Sequence, residues 1–220
     1  MNKPSSAMAS RLPAVLIVLL SAILMSAPPA AAQQASLNGL WDAMVITNGV
    51  EIPFRYEISV RGTQAQGFFF EGDQRIGSSS GSYVNGELKL EYEHLNTVLE
   101  AHLEGAELVG AYRANRPDAR PTPFRAKRFA PVQSDNNPPK VAGDWIMSRV
   151  QSERTAPRDT RTWTLFLRQS GAEVTGSILR VDGDTGTLSG HFTGGKLVLS
   201  HFAGERPTRV SPSSLLSSSS

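Results

Sequence analysis

The sequence predicts an all-β chain: two tandem antiparallel β-meander units, the second incomplete. Three observations predict it. Beyond residue 33, apolar and polar residues alternate with period two, and no stretch keeps helical periodicity for three turns. Gly-containing turns separate the alternating runs. The pattern then recurs at an offset of 109 residues.

Residues 1–32 read as a signal peptide. Lys3 and Arg11 supply the basic start, an apolar run follows to Met25, and Ala30-Ala31-Ala32 supplies a cleavage site before Gln33. The apolar run is shorter than the roughly 20 residues of a spanning helix, and Pro28-Pro29 follows it. A periplasmic or secreted protein, free of the membrane after cleavage, is therefore expected.

The first unit occupies residues 36–130. Strands are expected near 40–47, 52–61, 64–71, 75–84, 87–93, 97–103, 106–113 and 122–129. Phe54, Tyr56, Ile58 and Val60 alternate with Arg55, Glu57, Ser59 and Arg61, and Leu88, Leu90 and Tyr92 with Glu87, Lys89, Glu91 and Glu93. Asn48-Gly49 and Asn85-Gly86 suit type I′ hairpins, in which both central residues need positive φ. Eight such strands would close into a small up-and-down barrel, which removes exposed edges; a two-sheet sandwich is the alternative. With its complete strand set, this unit is expected to fold alone.

A polar, Pro-rich linker, 131–141, leads to the second unit, 142–207. Gly62, Gly67, Asp73, Gly77, Ser80, Gly81, Gly86, Leu88 and Leu90 recur as Gly171, Gly176, Asp182, Gly186, Ser189, Gly190, Gly195, Leu197 and Leu199. Upstream, Gly39-Leu40-Trp41 recurs as Gly143-Asp144-Trp145 at an offset of 104, so copy two carries five extra residues in the polar stretch 151–160. Strands equivalent to Val98–Leu103 and beyond have no counterpart in residues 208–220, a serine-rich tail. A truncated or frame-disturbed gene is the simplest cause. The incomplete unit should leave an open edge along Lys196–Phe202, with Leu197 and Leu199 exposed and self-association through that edge.

Charge excludes some partners. The chain has 22 Lys+Arg against 20 Asp+Glu, and two of the 22 lie in the leader, so the body is formally neutral. That argues against nucleic acid and anionic membrane as partners. The absence of cysteine excludes disulfides, thiolate metal sites and thiol nucleophiles.

Several strings carry a family resemblance: Leu37-Asn-Gly-Leu-Trp-Asp42, Asn48-Gly-Val-Glu-Ile-Pro-Phe-Arg-Tyr56, Phe124-Arg-Ala-Lys-Arg-Phe129, Arg168-Gln-Ser-Gly-Ala-Glu-Val174 and Ile178-Leu-Arg-Val-Asp-Gly-Asp-Thr-Gly-Thr-Leu188. Together they resemble the β-rich N-terminal region of exported TlpA-type thiol–disulfide oxidoreductases of acidobacteria, also described as redoxin (AhpC/TSA) proteins. In that family a thioredoxin-like domain with a Cys-x-x-Cys pair carries the redox chemistry. This chain holds no Cys, so the resemblance implies no catalytic residue here, but a non-catalytic module that docks or presents a redox protein or another periplasmic protein.

Candidate chemistry is sparse, and no cofactor is expected. Asp182-Gly-Asp184 starts like a calcium loop but lacks its third acid and distal Glu; a hairpin turn is the competing reading. Of His94, His102, His191 and His201, neither His102 nor His191 has a nucleophile beside it in the pattern. His201 shares the face of Leu197 and Leu199 and reads as a half-buried, hydrogen-bonded histidine. Arg113, Arg116, Arg120, Arg125, Lys127 and Arg128 could dock an acidic partner or stand as a solvated strand face. Trp41 either plugs the barrel or floors a pocket that Tyr56 and Tyr92 would also line, as in a calycin-like carrier of small ligands.

Overall fold

The computed structural model describes residues 37–72, 74–135, 137–148, 162–179, 185–202, 204 and 207–211. The signal-peptide assignment, the loop 151–160, Asp182, Asp184 and the tail beyond residue 211 lie outside them.

Repeat one is a closed antiparallel barrel, not a sandwich. Its strands are β1 (Gly39–Thr47), β2 (Val50–Arg61), β3 (Gln64–Glu71), β4 (Gln74–Gly77), β5 (Ser80–Val84), β6 (Glu87–Tyr92), β7 (Thr97–Glu104), β8 (Glu107–Ala114) and β9 (Thr122–Arg128). Consecutive strands pair, except that β4 and β5 both pair with β3, and β9 returns to pair with β1 from Trp41↔Arg128 to Val45↔Phe124. The run expected at 75–84 is broken into β4 and β5, which together complete eight staves. Between them Ser78 leaves the ladder: its N–H donates to the Gly67 carbonyl at 2.8 Å, and its Oγ accepts from the Gly67 N–H at 3.2 Å. Such an irregularity turns the strand so that the barrel can close.

The hairpins follow the expected chemistry. Asn48 and Gly49 have φ of 52° and 76°, Asn85 and Gly86 53° and 89°, and Gly194 and Gly195 55° and 73°. These are the positive values a two-residue I′ turn requires at both positions.

Repeat two is an open six-stranded meander of β10 (Gly143–Ser148), β11 (Thr162–Ser170), β12 (Glu173–Leu179), β13 (Thr185–Thr193), β14 (Lys196–His201) and β15 (Thr208–Val210). The duplication reaches into side-chain geometry. Trp41 Nε1–H donates to the Leu37 carbonyl at 2.9 Å, and Trp145 Nε1–H donates to the Val141 carbonyl at 2.9 Å. Both tryptophans follow a Gly at large positive φ, Gly39 at 115° and Gly143 at 136°, backbone that an L residue adopts only under strain.

Two expectations about repeat two are corrected. The edge of β14 is not open, because β15 pairs with it through Leu199↔Val210, as β7 pairs with β6 through Leu90↔Leu99. A sixth strand thus lies in the stretch read as tail, and Leu197 and Leu199 are buried. The offset between these equivalent pairs grows from 109 to 111, which hides β15 from an ungapped comparison. The two extra residues sit in the segment 202–207, where repeat one has only the single 3-10 turn Glu93–Leu95.

That longer segment enters repeat one. Phe202 is 4% exposed and belongs to the barrel's core, beside Phe54, Phe69 and Tyr112. The Tyr112 hydroxyl donates to the Gly204 carbonyl, and a Cβ on Gly204 would stand 2.1 Å from Leu95. The first barrel's core is therefore not built from residues 36–130 alone.

Candidate functional site

The barrel interior is packed with buried aromatic and aliphatic side chains. At the end where β1 begins, Trp41 is buried beneath the guanidinium of Arg128, 4.2 Å from its ring centroid. Arg128 is held there by donating to the Asn38 carbonyl at 2.7 Å. In the middle, the Tyr56 and Tyr92 hydroxyls share a 2.5 Å hydrogen bond with both side chains wholly buried. Burial pushes both phenols well above the ordinary tyrosine range. The Tyr56 ring occupies the space over Gly67, where a Cβ would lie 2.0 Å from its hydroxyl. At the other end Phe202 closes the stack, its ring 4.1 Å from that of Phe54 and 5.0 Å from that of Phe69. Trp41, Tyr56 and Tyr92, the side chains expected to line a pocket, all lie buried in the barrel's core.

Open space lies instead between the repeats, in a cleft of about 420 Å³. Its barrel wall is the outer surface of β1 and β2, with Asp42, Pro53 and Arg55, joined by Phe70 and Phe129. The opposite wall is the polar face of repeat two, with Glu173, Thr175, Ser189, His191 and Ser200. Strand alternation puts these five on the side away from Leu188, Leu197 and Leu199, and register places Glu173 beside His191 and Thr175 beside Ser189.

Three links hold the walls at this spacing. Arg55 Nη2 donates to Glu173 Oε1 at 3.0 Å, with the Arg55 guanidinium stacked over the Phe129 ring at 4.3 Å. The Ser200 hydroxyl donates to the Pro53 carbonyl, and Arg209 Nη1 donates to the Glu51 carbonyl at 3.2 Å. Asp42 Oδ2 accepts from the Ala130 N–H at 3.2 Å and so fixes the start of the linker at the cleft rim. A mixed surface of rings, hydroxyls, one imidazole and one ion pair can hold a ligand or a peptide by shape and hydrogen bonding.

The remaining candidates have ordinary roles. His201 is half-buried and shares a 2.9 Å hydrogen bond between Nδ1 and the Thr187 carbonyl. His102 pairs with Glu104 at 3.2 Å on the exposed face of β7. Several of the basic residues have acidic partners: Arg113 pairs with cross-strand Glu100 at 3.3 Å, Lys127 with cross-strand Glu107 at 3.1 Å, and Arg116 with Asp118 of the same loop at 3.5 Å. Among the described residues no three His, Asp or Glu side chains cluster as metal ligands would.

Sequence reasoning missed Phe202. A signal was present, because repeat one carries Glu93 at the matching position; a charge replaced by a phenyl ring two residues before a Gly marks a segment that no longer faces solvent. The cleft itself left no such mark, since its walls are the polar outer positions of both sheets. No family model, curated protein or solved structure matches the chain. The likeness to TlpA-type proteins rests on the residue strings alone.

Proposed function

We propose that this chain is an exported, non-catalytic β module that acts by binding another protein, with the inter-repeat cleft as its contact site. The observation that supports this reading is the filled first barrel. A carrier of the calycin kind needs space among its inward side chains, and here nine aromatic rings, one of them contributed by repeat two, take that space. Binding is left to outer surfaces, among them the cleft, whose walls are fixed by both repeats. The resemblance to TlpA-type proteins supplies the class of partner: a thioredoxin-like domain that the module docks or presents in the periplasm.

The test is titration of the isotopically labelled chain with a purified exported thioredoxin-like domain of TlpA type, followed by NMR. Expected are shifts confined to the cleft walls, at His191, Thr175 and Phe129, and their loss in Arg55→Glu. No association, or shifts confined to the barrel interior on adding a small apolar ligand, would overturn the proposal in favour of the carrier.

A further inference from the structure

The open sheet keeps one strand edge that the closed barrel has lost. In repeat one, β1 pairs with β2 on one side and with β9 on the other. Its counterpart β10 pairs only with β11 among the described residues. By the offset of 104, Asp42 of repeat one becomes Ile146, which is 71% exposed at the centre of that edge.

Ile146 is not isolated. It stands opposite Thr164, which stands opposite Leu179, and Phe166 lies two residues along β11 on the same face. Leu179 and Phe166 are each 41% exposed. The matching positions in repeat one are Asp42, Arg55, Phe70 and Glu57, so three charged positions have become Ile146, Thr164 and Phe166 beside the edge that is unpaired among the described residues. Gly143–Ser148 has no Lys, no Pro and no bulge to guard the edge, and its one charge is Asp144.

We propose that β10 is a self-association edge, on which a second copy of this chain lays its own β10 antiparallel across a two-fold axis. The counterpart edge on β1 accepts an antiparallel strand, so the backbone geometry of this position suits one. A second copy has the same unfilled edge, and an isologous contact satisfies both at once and closes at two. With Ile146 opposite Ile146, Asp144 falls opposite Ser148 rather than opposite its own charge, and the apolar patches continue across the seam. The two six-stranded sheets become one.

The absence of cysteine makes the test clean. Sedimentation velocity of the purified chain over a dilution series should show a dimer that dissociates on dilution. Ile146→Lys should be monomeric at every concentration, with an unchanged far-UV spectrum. Ile146→Cys should oxidise to a disulfide-linked dimer, because directly opposed antiparallel residues lie within the Cα separation a disulfide spans. Val84→Cys, also exposed (47%) but on β5 of the barrel, should not. If the lysine variant misfolds, the two cysteine variants decide the matter. A monomer throughout, growth beyond two copies, or a dimer that survives Ile146→Lys would each overturn the assignment.

Discussion

The ring of Phe202 lies 4.1 Å, centroid to centroid, from that of Phe54, although 147 residues separate them and they belong to different repeats. The contact makes the second repeat a structural part of the first. Phe202→Ala removes the ring that stoppers one barrel end and should cost about 3–5 kcal/mol, the range for a buried Phe truncated to Ala. A segment of residues 36–130, which lacks Phe202 and Gly204, should likewise melt below the full chain, against the expectation from its strand count. Thermal melts of the variant and the segment check both; equal midpoints would mean the barrel relaxes around the missing ring.

The Tyr56 and Tyr92 hydroxyls satisfy each other, so removing one strands the other. Tyr56→Phe or Tyr92→Phe alone should each destabilise by about 1–3 kcal/mol, the cost of a buried, unpaired polar group. The double variant should lose less than either single change predicts. Denaturant melts of the four proteins form a double-mutant cycle, and additivity would show that the 2.5 Å pair is not coupled. Tyr83 provides the contrast, because its buried hydroxyl has no partner among the described residues and Tyr83→Phe should be neutral or stabilising.

Much of this barrel was legible because alternation and turn chemistry act locally. Glu87–Tyr92 shows its two faces in six residues, and Asn48-Gly49 and Asn85-Gly86 fix the register of their hairpins. What the sequence withheld is what covers each face. Alternation marks Ser200 and His191 as outward but cannot say that the outer surface of another unit meets them. It also cannot distinguish a strand from a tail when only three residues pair, as in Thr208–Val210. The split at Ser78 is invisible for a related reason: the strand breaks to close a barrel, a demand imposed by the whole circuit rather than by Ser78-Ser79-Ser80.

Gly190 and Gly186 are both repeated glycines of β13, yet only one should resist substitution. A Cβ on Gly190 would sit 1.9 Å from the Val198 carbonyl oxygen, an atom of the neighbouring strand's backbone. On Gly186 the nearest atom is a methyl of Ile178 at 3.7 Å. Gly190→Ala should therefore push β14 from β13 and lower the melting midpoint by several degrees, whereas Gly186→Ala should leave it within error. The reverse order would mean that β13 and β14 do not pair in the register Gly190↔Leu199.

Alkaline pH should unfold this protein through its buried phenols. Burial, chiefly, raises Tyr56 and Tyr92 above their unfolded value, so the folded state keeps both protons after the unfolded chain has begun to release them. Below about pH 10 both states are protonated and the pair imposes no pH dependence. Above it the unfolded state binds fewer protons than the folded one, and stability falls as pH rises. Denaturant midpoints measured from pH 8 to 12 should hold level and then decline, with absorbance of ionised Tyr56 and Tyr92 appearing only on unfolding. The Tyr56→Phe/Tyr92→Phe double variant should show a shallower decline, because it lacks the two groups that titrate differently in the two states. Phenolate absorbance from these two side chains in a protein whose near-UV dichroism is still native would contradict the closed, ring-filled barrel.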